Sequence, residues 1–384
     1  MAPTHSWRLS AVLPGLQLSH SIECGPFAAI TPNDNRYNSL ANDPRSTPIF
    51  LSRFRSPYGK KVKPTLIVNR LKAQQYKALL VTDFRNLIAV CCQMRGFAYR
   101  YQSNPKSSGP VFSDFFDIYP GWPRDGGDEW PTDSVFIRGA MQSKPPIEIR
   151  RFNGGLPLGI FDQTNRMAIP DVHLLHALTK LFSDQSGKFS SIRRRVFRAL
   201  EVVRLATRAP IGNLGSQQDY GLSFAQWVSA IEILTHLMIC GTNTRPNVNA
   251  NEVVNVIEAI PWKDQKLRRK SVRWSKKIGS GNSVNTRIRK AEQIYRRMYK
   301  VRCDYLHGNT IIGRAVERYW QPSRGHLSGQ APILFRWYLL KILSHFGFTN
   351  YLNPISIIDQ STLRNLSDDV NIYEWPLYGN APEI

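Results

Sequence analysis

The sequence predicts an α+β protein, and three observations carry that reading. Tyr76, Leu80, Phe84, Leu87, Cys91 and Met94 recur at three- and four-residue steps, the period of a buried helix face. Ile147-Glu148-Ile149-Arg150 alternates with a period of two, as a half-buried strand does. Beyond Pro170 the pattern is helical almost to residue 346. The expected organisation is a mixed α/β N-terminal domain over residues 1–160, an all-α helical bundle over 171–346 and an acidic, mostly irregular C-terminal tail over 347–384.

Residues 1–65 are rich in Pro, Asn and Ser around short apolar pieces such as Ala11–Leu18, so short strands and loops are expected there. The helix through Phe84 is expected to end near Gly96. Residues 103–146 return to Pro, Gly and acid, and Gly154-Gly155 opens a boundary segment that runs to Pro170. Asp171 can cap a helix carrying Leu174, Leu175, Leu178 and Leu181. A basic helix follows from about Ser191 to Arg208, and Pro210 stops it. Ser223-Phe224-Ala225-Gln226 has the form of a capping box, with Leu222 and Trp227 placed as a hydrophobic staple, so a helix is expected from Phe224 to Cys240. That stretch contains Gln226, Glu232 and His236, which are costly in hydrocarbon, so it reads as a buried core helix rather than a membrane span. Asn251–Ile260 is a short helix, and Ser280-Gly281-Asn282-Ser283 breaks the chain before a long helix from Val284 to Leu306. Gly308 supplies its stop, and Ile333–Phe346 is a last apolar helix. No repeat of about 20 to 50 residues occurs, which argues against a solenoid.

Charge points to a partner. The 384 residues hold 51 Lys and Arg against 28 Asp and Glu, a net +23, and a field of that sign draws polyanions. Residues 263–302 alone hold 15 basic side chains and two acids. Arg268, Arg269, Lys270, Arg273, Lys276, Lys277, Arg287, Arg289, Lys290 and Arg296 belong to this strip, interleaved with Trp262, Trp274, Tyr295 and Tyr299. Such a pattern suits a phosphate-tracking groove with rings for base stacking, and RNA binding is favoured over a merely solvated face. Five scattered cysteines lack the spacing of a disulfide scaffold or a zinc site, and no apolar run follows a basic start at the N-terminus. A cytoplasmic location is expected.

The stretch Tyr299-Lys300-Val301-Arg302-Cys303-Asp304-Tyr305-Leu306-His307-Gly308 carries the chemistry. Arg302 falls on the same stripe as Ala291, Tyr295 and Met298, and a charge on a packed stripe needs a partner. A helix ending Y-x-x-R-x4-H-G, preceded by an apolar helix with a central acid, resembles the HEPN superfamily, and its Apea-like branch in particular. The resemblance spans roughly residues 171–346 in the order of helices. It implies a metal-independent endoribonuclease in which Arg302 and His307 line a cleft between two protomers, with Glu232 supporting the site. It further implies a homodimer without cofactor or metal, and a defence or toxin effector restrained by a trigger or by a regulatory or antitoxin protein. The position after the Arg is often polar in active members, and here it is Cys303. That departure favours the alternative, a non-catalytic dimeric RNA- or nucleotide-binding scaffold in which Arg302 and His307 are structural.

The chemistry stands by itself as well. RNA carries its own nucleophile in the 2′-hydroxyl, so cleavage needs groups that accept and donate protons and a cation for charge building on phosphate. His307 can move protons near neutral pH, and Arg302 can grip two phosphate oxygens. Along an ideal helix the two side chains diverge by about 140°. Either the helix ends before His307 or a twofold dimer shares the site. The plainer reading makes His307 a helix cap and pairs Arg302 with Glu232. Asp171, His173 and His176 lie within one helical turn but lack the HExxH order of a zinc site, and the acids Asp114, Asp117, Asp125, Asp128, Glu129 and Asp133 lack EF-hand spacing. No P-loop and no G-x-S-x-G elbow occurs.

Overall fold

The computed structural model describes residues 7–41, 63–71, 78–100, 112–120, 167–184, 187–208, 217–240, 248–262, 271–278, 282–311 and 327–352, together with Tyr373 and Leu377. Helices and an antiparallel sheet share the chain, an α+β composition. The expected strand at 147–150 and the boundary at 154–166 lie outside the described residues.

Strands β1 (Arg8–Leu13), β2 (Ile22–Cys24), β3 (Phe27–Ile30), β4 (Thr65–Asn69) and the short β5 (Tyr119–Pro120) form one sheet in the order β2-β3-β4-β1-β5. It is buried on both faces. Ala11, Leu13, Cys24, Phe27, Ala29 and Ile67 face the helices, while Val12, Ala28, Ile30, Leu66 and Val68 lie under Tyr37 and Leu40 of α1 (Asn35–Ala41). Leu9 joins Val12 in that second cluster because the register slips between Leu9 and Ala11, and a bulge shifts the alternation of faces.

α2 (Ala78–Arg100) and α3 (Val172–Ser183) lie against the sheet, and α4 (Ser190–Ala206) packs on α2. Phe27 of the sheet, Phe84 of α2 and Phe182 of α3 meet with ring centroids 5.7 to 5.8 Å apart; burying each such ring contributes about 2 kcal/mol. α2 does not end near Gly96 but runs on to Arg100. One glycine costs a helix only about 1 kcal/mol, and Met94, Phe97 and Ala98 are buried on either side of it. Asp171 caps α3 as the sequence suggests, its Oδ1 accepting from the backbone N–H of His173 and Leu174, each at 3.0 Å.

The remaining helices are α5 (Gln217–Cys240), α6 (Ala250–Glu258), α7 (Lys290–Leu306) and α8 (Leu327–His345). α5 is central and packs on α4, α6, α7 and α8. Its stretch Asp219–Ile239 is long and apolar enough to cross a membrane by length and composition, and Phe224, Trp227, Val228, Ile231, Leu234 and Leu237 along it are buried among the other helices.

Two expectations are corrected here. Ser223 does not cap α5, which begins at Gln217; its hydroxyl instead donates to the Ala206 carbonyl at the end of α4, at 2.7 Å. Nor is residue 284 the start of a helix. A hairpin of β6 (Ser271–Ile278) and β7 (Asn282–Arg289) interrupts the expected all-α bundle, pairing Val272 with Ile288 and Arg273 with Arg287. The sequence Val284-Asn285-Thr286-Arg287-Ile288-Arg289 alternates with a period of two. A Val284/Ile288 pair four apart fits either period, and the β-branched side chains favour the strand.

One apolar cluster runs from Ala11 and Phe27 of the sheet through all the larger helices to Tyr373 and Leu377, so the tail contributes packed residues. The backbone also ties the segment after β1 to the residues just before Pro170, with Ser19 N–H on the Ala168 carbonyl at 3.0 Å and Ala168 N–H on that of Gln17 at 2.7 Å.

Candidate functional site

The site is built where α7 lies across α5. Gly221 of α5 makes this approach close: a Cβ there would run into the ring of Tyr305 and the side chain of Ile311. α7 presents Ala291, Ile294, Tyr295, Met298 and Val301 to the core, and the next position of that stripe is Arg302.

Arg302 Nη1 donates to Glu232 Oε1 at 3.1 Å, with side-chain exposures of 24% and 21%. The guanidinium also lies over the Tyr299 ring, 5.4 Å from its centroid. This explains the Y-x-x-R spacing physically, since side chains three apart on a helix share a face. Burial pushes the Glu232 carboxyl above its ordinary range, and Arg302 pulls it back only in part. Beneath the pair, the Tyr295 hydroxyl is buried without a hydrogen-bond partner, and burial with the nearby Glu232 carboxylate raises its pKa.

α7 ends at Leu306, one residue before His307, which is the C-cap. Gly308 N–H bonds the Tyr305 carbonyl at 3.2 Å, Asn309 N–H bonds that of Asp304 at 2.8 Å, and Gly308 has φ +69°. This is the Schellman closure that glycine permits without strain. His307 is thereby exposed at the turn rather than one helical step round from Arg302. Cys303 is partly exposed, whereas Cys24, Cys91 and Cys92 are buried.

Comparison with protein-family models, with curated proteins and with solved structures finds no match.

The basic strip divides. Arg268, Arg269 and Lys270 lie outside the described residues; Arg273, Lys276 and Lys277 fall on β6. Arg287 is exposed on β7. The others already hold protein partners: Arg289 bonds the Glu258 carbonyl at 3.4 Å, Lys290 bonds Gln293 at 3.3 Å, and Arg296 pairs with Glu292 at 2.7 Å. Asp171 is committed too, its Oδ2 accepting from Arg336 at 2.6 Å, while His173 stacks on Tyr351 at 3.9 Å. Among the described residues no group of three or more His, Cys, Asp or Glu gathers to hold a metal.

Sequence reasoning missed the polar partner of His236. Its Nδ1 lies 2.8 Å from Nη1 of Arg195, on α4. The only signal available was that His236 follows Glu232 by one helical turn.

Proposed function

We propose that the chain is a metal-independent endoribonuclease of HEPN type, acting as a defence or toxin effector in the cytoplasm. The observation that carries this reading is the Arg302–Glu232 pair: two helices far apart in sequence bring a guanidinium and a carboxylate to 3.1 Å in a half-open position, close to the turn that exposes His307. The 2′-oxygen of a ribose attacks its neighbouring phosphorus as its proton passes to a base, the bond to the 5′-oxygen breaks, and that oxygen takes a proton. Cyclic phosphate and a 5′-hydroxyl result. His307 serves in proton transfer and Arg302 steadies the charge on the phosphoryl oxygens, where such donors contribute most. Glu232 orients the guanidinium.

A homodimer completes the site. Leu205, Leu222 and Leu306 are 37%, 46% and 59% exposed. Their chain neighbours are brought together, since Ser223 binds Ala206 and Tyr305 packs on Gly221. An apolar patch beside His307 suits a second copy.

Incubating the protein with RNA in EDTA is expected to give cyclic phosphate ends, and His307→Ala is expected to slow cutting by about 100-fold or more. Arg302→Ala is expected to abolish it; unchanged cutting in either variant refutes the assignment. One observation favours a second reading, a non-catalytic dimeric RNA- or nucleotide-binding scaffold: Glu232 already satisfies Arg302 within one protomer. RNA bound but left intact would decide for it.

A further inference from the structure

The Tyr295 hydroxyl stands unmatched. Its side chain is 0% exposed, and the oxygen has no hydrogen-bond partner among the described residues. An unmatched buried hydroxyl costs stability, so it calls for a state of the molecule in which it is matched. The neighbouring hydroxyls are already engaged, since Thr235 donates to the Ile231 carbonyl at 2.8 Å and pairs with Tyr338.

Tyr295 and Arg302 are seven residues apart on α7, two helical turns, and so share the stripe that meets α5. The Tyr299 ring links them, its centroid 6.1 Å from that of Tyr295 and 5.4 Å from the Arg302 guanidinium carbon. Across from them is Glu232, whose carboxylate acts through space on the Tyr295 hydroxyl. Among the described residues that carboxylate accepts one hydrogen bond, from Arg302 Nη1 to Oε1 at 3.1 Å. A half-buried acceptor with a single donor therefore lies in the field of a buried donor with no acceptor.

We propose that Tyr295 is a positioning residue that takes over Glu232 when Arg302 turns to a phosphoryl oxygen, its O–H donating to the carboxylate in place of Nη1. The proposal rests on the ribonuclease reading for that phosphate. A half-buried carboxylate that loses its cation otherwise picks up a proton or draws the guanidinium back. With Tyr295 as the alternative donor, the carboxylate stays matched and Arg302 is released to the reacting phosphate.

The first half of the test needs no RNA. Tyr295→Phe keeps the ring and removes the hydroxyl. In the full chain at pH 8 it is expected to leave the urea midpoint unchanged or to raise it, since no hydrogen bond is lost. In Arg302→Met, which keeps an apolar stem and removes the cation, the same change is expected to lower the midpoint, because the carboxylate then depends on the hydroxyl. A fall no larger in Arg302→Met than in the parent chain overturns the proposal, whether or not RNA is cut. In the second half, Tyr295→Phe alone is expected to lower kcat on RNA about tenfold with KM little changed. An unchanged kcat in a chain that cuts RNA overturns the proposal too. The larger fall in Arg302→Met, with RNA left intact by the parent chain, upholds the exchange of donors and sinks the ribonuclease reading instead.

Discussion

Gly308 illustrates how one residue sets a site. Its φ of +69° lies in the left-handed region, and nothing lies within 4 Å of where a Cβ would stand. The cost of a side chain there is therefore backbone strain alone. Gly308→Ala is expected to lose about 1 kcal/mol, and Gly308→Asn less, by urea unfolding. Asp83 is a different case. Burial pushes its carboxyl up to about 6, with Arg193 opposing and Glu201 reinforcing the rise. A carboxyl whose folded pKa lies above its unfolded value costs stability when ionised. That cost is full above about 6, shrinks as the pH falls, and vanishes below the ordinary carboxylate value of 3.8. Asp83→Asn is therefore expected to raise stability on the order of 1 kcal/mol at pH 7.5, after allowance for its partial exposure. The gain is expected to disappear in unfolding curves at pH 3.5. At this scale the sequence was legible where a residue acts on its own backbone, as Asp171 does at its cap and Gly308 at its turn. It was mute on His236, whose partner is 41 residues away.

Among the elements, α5 and α7 depend on the small side of Gly221. Adding a methyl group is expected to move the Tyr305 ring and cost about 1 to 3 kcal/mol, the usual range for overpacking. The same displacement acts at the end of α7, so Gly221→Ala is expected to reduce RNA cleavage as well as the unfolding midpoint. A Tyr305→Leu change that restores the midpoint of Gly221→Ala would identify the clash as the cause. The elements also show where periodicity misleads. The helices α3, α4 and α6 could be placed in the sequence because each buries one stripe, with Asp171 marking the start of α3. Strands β1, β3 and β4 could not, since burial on both faces erases the alternation that marks a strand. The hairpin was hidden for another reason: the four-residue apolar spacing of Val284 and Ile288 satisfied both interpretations.

For the whole molecule, the decisive feature is an ion pair with no access to water. Arg336 and Asp171 meet at 2.6 Å with side-chain exposures of 0% and 1%, and the Tyr373 ring lies 3.5 Å from the guanidinium carbon. Burial drives the Asp171 carboxyl up, but Arg336 outweighs it and holds the acid below its ordinary range. Stability from this pair is thus present above the unfolded carboxylate pKa and lost only as the pH falls through the depressed value. Asp171→Asn is expected to cost about 3 to 5 kcal/mol, because a buried guanidinium is left unmatched. Asp171→Ser with Arg336→Met, which keeps the cap and removes the cation, is expected to cost less than that single change in urea unfolding. No property of residues 171 and 336 in the sequence indicates that they meet, and Tyr373 is farther still. Their meeting joins α3, α8 and the C-terminal segment within the same apolar core that holds the sheet.

Cys303 gives the end of α7 a chemical handle. Its described counterparts Cys24, Cys91 and Cys92 are sealed in the core, so a thiol-selective dye reaches the neighbour of Arg302 before it reaches them. The speed of that labelling becomes a clock for whatever covers the turn, whether nucleic acid or a twin subunit, and it runs without any assay of turnover.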